Sequence, residues 1–198
     1  SASCLYGTVK RQKRDLAAEI GAVLALSAVS NNDRVGVLIF SDTVELFIPP
    51  RKGRNHVLHV IRDLLAARPA NRGTNLGMAL SAVNRLLKQR SILFVMSDFL
   101  IPSQQYASEL LVAGRKHDVI AVVLQDPTEQ AWDDAGLVSL RDAETGQSQI
   151  IDTGSTQWRK AFSQQAARFQ QVREDTLRRA EVDQIVVPVD GDYVRALT

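Results

Sequence analysis

The chain has 198 residues, 45% hydrophobic and 23% charged, a length and composition that suit one folded domain and argue against disorder. Its 24 basic and 22 acidic residues are mixed along the sequence for a formal net charge of +2, which makes no case for nucleic acid or an anionic membrane as partner. Cys4 is the single cysteine, so an internal disulfide and a cysteine-based zinc site are excluded. No stretch reaches the ~20 apolar residues of a membrane span and no signal peptide opens the chain, so the sequence reads as cytoplasmic.

Lys10 to Ser27 predicts an amphipathic helix with Leu16, Ile20, Val23, Leu24 and Ser27 on one face. Lys10, Arg11, Lys13 and Arg14 read as its solvated basic front, contact with an acidic partner being the alternative. Asn31-Asn32-Asp33 ends it. Arg34 to Phe40 is a buried-strand pattern, and Ser41-Asp42 turns it into a shorter antiparallel strand, Val44 to Ile48, closed by Pro49-Pro50. From Gly53 a helix follows with Val57, Leu58, Ile61, Leu64 and Leu65 at helical spacing. Arg68 to Asn75 is a loop dense in Pro, Asn and Gly, after which Thr74 begins a helix with Leu76, Ala79, Leu80, Val83 and Leu87 on its apolar face.

Ser91 to Met96 is an unbroken apolar run that stops at Ser97-Asp98, the pattern of a strand buried on both faces of a parallel sheet. Pro102 opens a helix containing Leu110, Leu111 and Ala113 and stopped by Gly114; Asp118 to Leu124 is the next buried strand. Leu137 to Ile151 alternates about Glu144-Thr145-Gly146 and reads as a β-hairpin on a rim or edge. Ser155 starts a long helix whose Trp158, Phe162, Phe169, Val172 and Leu177 share a face, Gln184 to Val187 is a last strand, and Asp190 to Thr198 is a final helix or tail. The expected architecture is a single α/β domain over residues 1–198 with a doubly wound, mainly parallel sheet. Such sheets place a central strand before their first helix, and none precedes Lys10. The sequence therefore reads as truncated at both ends, with its first central strand missing.

Asp98 falls at the carboxyl end of its strand, the edge where ligands bind in open α/β sheets. Taken alone it is either a ligand residue or a capping acid. Ser1 and Ser3 before the first helix and Thr74 before the third fall on the same edge. Hydroxyls and carboxylates are hard oxygen ligands of the kind Mg²⁺ takes together with water, leaving a position open to a partner's carboxylate.

In order and spacing, Ser1-Ala2-Ser3, Gly73-Thr74 and Ser97-Asp98 resemble the three parts of the metal-ion-dependent adhesion site of von Willebrand factor A domains. More narrowly, Asn31 to Val37, Pro49 to Gly53, Gly73 to Leu76, Ser97 to Leu100, Asp142 to Gly146 and Asp192 to Arg195 resemble the bacterial A-type domains found beside MoxR AAA+ ATPases, a family of unknown function. The resemblance implies that Ser1, Ser3, Thr74 and Asp98 hold Mg²⁺, with Mn²⁺ or Ca²⁺ as alternatives, and that the metal accepts an Asp or Glu from a protein partner, a MoxR-type ATPase or its client. The aspartate that opens the family's motif is absent, so binding is expected to be weak in this chain. Arg68 and Arg72 flank the Thr74 loop and are candidates for guiding that carboxylate; Asp42 either assists the site or makes its turn.

Other patterns carry less. His56 and His59 lie three apart on a helix without a third ligand for zinc. His117 reads as a helix cap or a solvated side chain, and Cys4 as a small packed residue. No P-loop, dinucleotide fingerprint or nucleophile elbow is present. The expectation is a non-enzymatic interaction domain, with a Mg²⁺-dependent phosphatase or nucleotide-binding enzyme as the alternative.

Overall fold

The structure, a computed structural model, describes residues 12–68, 73–141 and 148–191. Helix α1 (Lys13–Ser30) leads into an antiparallel pair, β1 (Val35–Phe40) and β2 (Val44–Arg51), followed by helices α2 (Arg54–Ala66) and α3 (Leu76–Leu86). Next come β3 (Ile92–Ser97), α4 (Ala107–Lys116) and β4 (Asp118–Gln125), then the hairpin β5 (Leu137–Arg141) and β6 (Ser148–Asp152). Helix α5 (Thr156–Arg179) and strand β7 (Asp183–Pro188) complete the described chain. The architecture is mixed α/β, with β3-β4-β7 forming a three-stranded parallel sheet and β1-β2 and β5-β6 forming two small antiparallel ones.

Strand β4 lies at the centre of the parallel sheet and supplies both cores, because successive side chains of a strand point to opposite faces. Val119, Ala121 and Val123 join Leu76, Leu80, Phe99, Tyr106, Leu110 and Leu177 on one side. On the other, Val122 and Leu124 meet Leu16 and Ile20 of α1 together with Val187 and Val189. Helices thus cover both faces, as a parallel sheet requires. Each fully buried Leu, Ile or Val contributes about 1.5–3 kcal/mol relative to exposure. Two glycines permit the closest helix contacts. A Cβ on Gly77 would stand 2.1 Å from the Gln105 carbonyl oxygen, and one on Gly114 would stand 2.2 Å from that of Ala180.

Several expectations are corrected. The strands of the described residues form three sheets rather than one, so a doubly wound sheet is only partly realised: β1 pairs with β2 alone and β3 with β4 alone. Strand β3 is consequently an edge. Its Ile92 is 63% exposed and its Phe94 37% exposed; the apolar run predicted burial on both faces, but burial follows from neighbours, and the fully buried run is in β4. Pro49-Pro50 lies within β2, and Gly114 lies inside α4 because the helix meets the Ala180 backbone there. Asn75, not Thr74, caps α3, its side chain accepting from the Met78 amide at 2.9 Å. Val23, Leu58, Leu65 and Val172, placed on buried faces by their spacing, are exposed. The hairpin is present, with Leu137 opposite Asp152 and Arg141 opposite Ser148 and its tip among the residues not described, and forms its own sheet.

Candidate functional site at the carboxyl edge of the parallel sheet

At the carboxyl end of β3 the chain turns sharply. Phe99 is fully buried yet takes the left-handed conformation, φ 53°, an outlier for a bulky residue that costs of order 1–3 kcal/mol. Local bonds hold it: Phe99 N–H donates to Ser97 Oγ at 3.1 Å and Leu100 N–H to Asp98 Oδ1 at 3.3 Å. The Phe99 ring packs edge-on to Tyr106, centroids 5.8 Å apart. This turn carries the Asp98 carboxylate inward, where it is buried.

Asp98 meets Lys13 there. The Lys13 ammonium, 0% exposed, donates to Asp98 Oδ2 at 3.2 Å and also contacts Glu129 Oε1. Glu129 is set by a 3₁₀ turn after β4, in which Asp126 accepts from the Thr128 amide and Glu129 Oε2 accepts from the Asp126 amide. Burial alone would depress the Lys13 pKa, but attraction to Asp98 and Glu129 and the hydrogen bonds to both outweigh it and hold the group above its ordinary 10.5. Lys13 is therefore no part of a solvated basic face. Its position three and seven residues before Leu16 and Ile20 puts it on the apolar stripe of α1, a signal that was available in the sequence.

Thr74 lies just before α3, whose first turn packs on residues 105 and 106 beyond Asp98 and whose cap residue Asn75 donates its N–H to the Ser41 carbonyl at 2.8 Å. Asp42 stands beside it: a Cβ on Gly73 would be 3.3 Å from Asp42 Cβ, and Ser41 Oγ donates to Asp42 Oδ1 at 3.2 Å. Thr74 Oγ1 is buried and has no hydrogen-bond partner among the described residues. Asp42 thus stands against Gly73, the residue before Thr74, while Asp98 is held with Glu129 on Lys13. Arg68 is exposed and its Nη1 donates to the Ala67 carbonyl at 3.3 Å. Ser1, Ser3 and Arg72 lie outside the described residues.

The set fits a divalent cation in part. The orphan Thr74 hydroxyl and the Asp98 carboxylate are hard oxygen donors, but an ammonium holds Asp98, and among the described residues no three His, Cys, Asp or Glu group around one point. The histidines have other roles. His56 Nε2 bonds the Val35 carbonyl at 2.8 Å and His59 faces Asp63 at 3.2 Å. His117 is buried rather than solvated, both ring nitrogens lack partners, and burial, aided by Lys116 and Arg90, lowers its pKa. Arg173 of α5 is a further buried residue, 4% exposed, whose Nε and Nη2 have no hydrogen-bond partner among the described residues. It falls four residues from Phe169 and from Leu177, again on an apolar stripe.

The class of protein that this architecture defines is a mixed α/β fold with a parallel sheet covered by helices on both faces. BatB of Bacteroides thetaiotaomicron matches the whole chain over 89% of its own length, with TM-score 0.62 and 16% identity. An aerotolerance-related membrane protein of Bacteroides fragilis matches it over 90% of its length, with TM-score 0.63 and 16% identity. Within that class the chain belongs to the family described as protein of unknown function DUF58, whose pattern matches residues 1–172. The uncharacterized protein Rv1480 of Mycobacterium tuberculosis is 32% identical over 148 residues, 74% of this chain and 46% of that protein. The uncharacterized protein MAV169 of Mycobacterium avium is 29% identical over 149 residues, 74% of this chain and 87% of that protein. The chain therefore spans about half the length of Rv1480. The expectation of a cytoplasmic protein is corrected by the structural neighbours, one of which is described as a membrane protein. No helix among the described residues is long and apolar enough to cross a membrane.

Proposed function

We propose that the chain is a metal-dependent protein-interaction domain of the von Willebrand factor A type, acting with a MoxR-type AAA+ ATPase or its client. The observation that carries this reading is the Thr74 hydroxyl, buried and without a hydrogen-bond partner among the described residues, one position after the Gly73 that meets Asp42. A buried hydroxyl without a hydrogen bond costs about 1–3 kcal/mol, and a ligand that needs oxygen donors removes that cost. Thr74 and Asp98 would hold Mg²⁺, Mn²⁺ or Ca²⁺, with Ser1 and Ser3 completing the set. The bound ion would supply a positive centre with an open position for a partner's Asp or Glu.

In this reading Lys13 is the metal's competitor. It already neutralises Asp98, so the cation must displace an ammonium and binds weakly. The accompanying fold is a doubly wound sheet in which a further strand seated between β3 and β1 joins the two ladders. Support comes from the two strand edges left unpaired among the described residues, and from Phe40 of β1 and Leu93 and Val95 of β3 packing on one cluster.

Titration calorimetry with Mg²⁺ tests the site. Weak binding to this chain, lost in Thr74→Val, is the expected result. Equal affinity for the chain and Thr74→Val would refute the ligand set, and partner capture unaffected by EDTA would refute the mechanism.

A further inference from the structure

At the opposite, amino end of the parallel sheet, where α3 leads into β3 and α4 into β4, lies a cavity of ≈ 260 Å³. Its wall includes Lys88, Gln89 and Arg90 from the first link, Lys116 and His117 from the second, and Asn84 of α3. The Asp118 N–H ties the two links together by donating to the Ser91 carbonyl at 2.9 Å. Lys88, Arg90 and Lys116 are exposed, so a solute in the cavity reaches them. No lining residue is acidic, and none of the three cations forms an ion pair among the described residues. Asp118 is exposed and is not part of the wall.

Part of this charge answers the helix ends. The C-termini of α3 and α4 each carry about half a negative charge, and Lys116 Nζ donates to the Asn84 carbonyl at 3.3 Å. The two ends together balance about one of the three cations. What is left reaches His117, which is 3% exposed and whose pKa is held below 6.5 by burial and then by Lys116 and Arg90. An anion seated among the cations would cancel that repulsion. We propose that the cavity binds a phosphate group, carried by a small soluble ester or by a lipid headgroup, through Lys88, Arg90 and Lys116. Chemistry sets the class. A phosphomonoester carries about −1.5 to −2 charge near pH 7 and three acceptor oxygens, which suits two ammonium groups and a guanidinium fork better than the single charge of a carboxylate does. The wall has no aromatic ring on which a base could stack. Ligand pockets commonly hold about 300–1,000 Å³, so ≈ 260 Å³ leaves room for only a small remainder on the phosphate. The ligand does not touch the buried His117 nitrogens; the ring senses it through charge. The site uses neither Thr74 nor a metal and stands independently of the function proposed above.

Titration of the 198-residue chain with inorganic phosphate and with glycerol 3-phosphate, at pH 7 and constant ionic strength in EDTA, tests the proposal. Saturable binding is expected, with the ring NMR signals of His117 shifting in step and those of His56 and His59 unmoved. Lys88→Gln with Arg90→Gln should weaken both ligands at least tenfold. Both side chains are exposed and pair with nothing among the described residues, so their loss spares the fold. Lys160→Gln with Arg168→Gln, which removes the same charge from exposed positions of α5, should change nothing. Co-sedimentation with phosphatidylcholine vesicles, with and without phosphatidic acid, separates the two sources. Retention on the phosphatidic acid vesicles alone, lost in the Lys88 and Arg90 double variant, assigns the lipid headgroup; no retention assigns the soluble ester. Phosphate binding that does not saturate, native affinity in the double variant, an equal loss in Lys160→Gln with Arg168→Gln, or His117 signals that stay fixed at saturation would overturn the site.

Discussion

Lys13 and Arg173 are two buried cations near one end of the parallel sheet, and their surroundings differ in kind. The ammonium of Lys13 has Asp98 at 3.2 Å and Glu129 in contact, while the guanidinium of Arg173 keeps two donors unanswered among the described residues. Desolvation opposes both charges. For Lys13 the two carboxylates more than offset it; for Arg173 they do not, and the pKa shifts run in opposite directions accordingly. The difference separates a charge held by two carboxylates from one whose Nε and Nη2 are buried without a hydrogen-bond partner among the described residues. Thr74 belongs with Arg173 in this respect, as a buried polar group whose partner is not supplied by the described chain.

The largest effect should come from breaking the compensated cluster. Lys13→Met leaves two carboxylates without their cation and should lower the free energy of unfolding in urea by about 3–5 kcal/mol. Adding Asp98→Asn and Glu129→Gln should recover most of that loss. Mg²⁺ should raise the melting temperature of Lys13→Met more than that of the native chain, because the ion no longer competes with an ammonium. A loss below about 1 kcal/mol in Lys13→Met would show that the cluster is not integral to the fold.

Removing the uncompensated groups should have the opposite sign. Arg173→Met and Thr74→Val, each measured in EDTA, should be neutral or stabilising by about 1 kcal/mol, since a costly buried polar group is replaced by a packed apolar one. A loss of more than about 1 kcal/mol in either would place that residue with Lys13 instead.

The pH dependence sharpens the comparison further. The folded pKa of Lys13 lies above 10.5, so its contribution to stability is fully present below pH 10.5 and fades as pH rises through the folded value. Lys13→Met should lack this alkaline loss. His117 has the reverse sign. Its folded pKa is depressed below 6.5, so its contribution is present above pH 6.5 and fades as pH falls through the folded value, with a slope of at most about 1.4 kcal/mol per pH unit for one proton. Urea titrations from pH 7 to 5 on the native chain and on His117→Phe should differ by that slope, the smallest of these effects.

Much of the edge was legible before any coordinates. The apolar run before Ser97-Asp98 predicted a strand that ends in an acid, and Asp98 does stand buried at that strand's carboxyl end. The proline-containing turn of Asp126 to Glu129 carries a capping-box pattern that placed Glu129 within reach of being found. Lys13 and Arg173 were obscured by chemistry: a basic side chain on a helix is ordinarily solvated, and only its register with Leu16 and Ile20, or with Phe169 and Leu177, marks it as inward. Of the expected ligand residues Ser1, Ser3, Thr74 and Asp98, the described residues hold Asp98 on Lys13, a pairing that no hydroxyl-and-carboxylate pattern in the sequence announces.

By itself the sequence determined the kinds and order of the elements, because apolar periodicity, caps and turns act over neighbouring residues. The tertiary structure decided which strand is central, since an apolar run reports what a strand tolerates and not how many neighbours it has; among the described residues β4 is enclosed and β3 pairs on one side only. Tertiary contact also decided charge. Lys13 and Asp98 are 85 positions apart in the chain, and no local pattern specifies that they meet. Buried electrostatics depends on which distant groups share a low-dielectric space, so the pairing of Lys13 and the desolvation of Arg173 emerge only when the chain has folded.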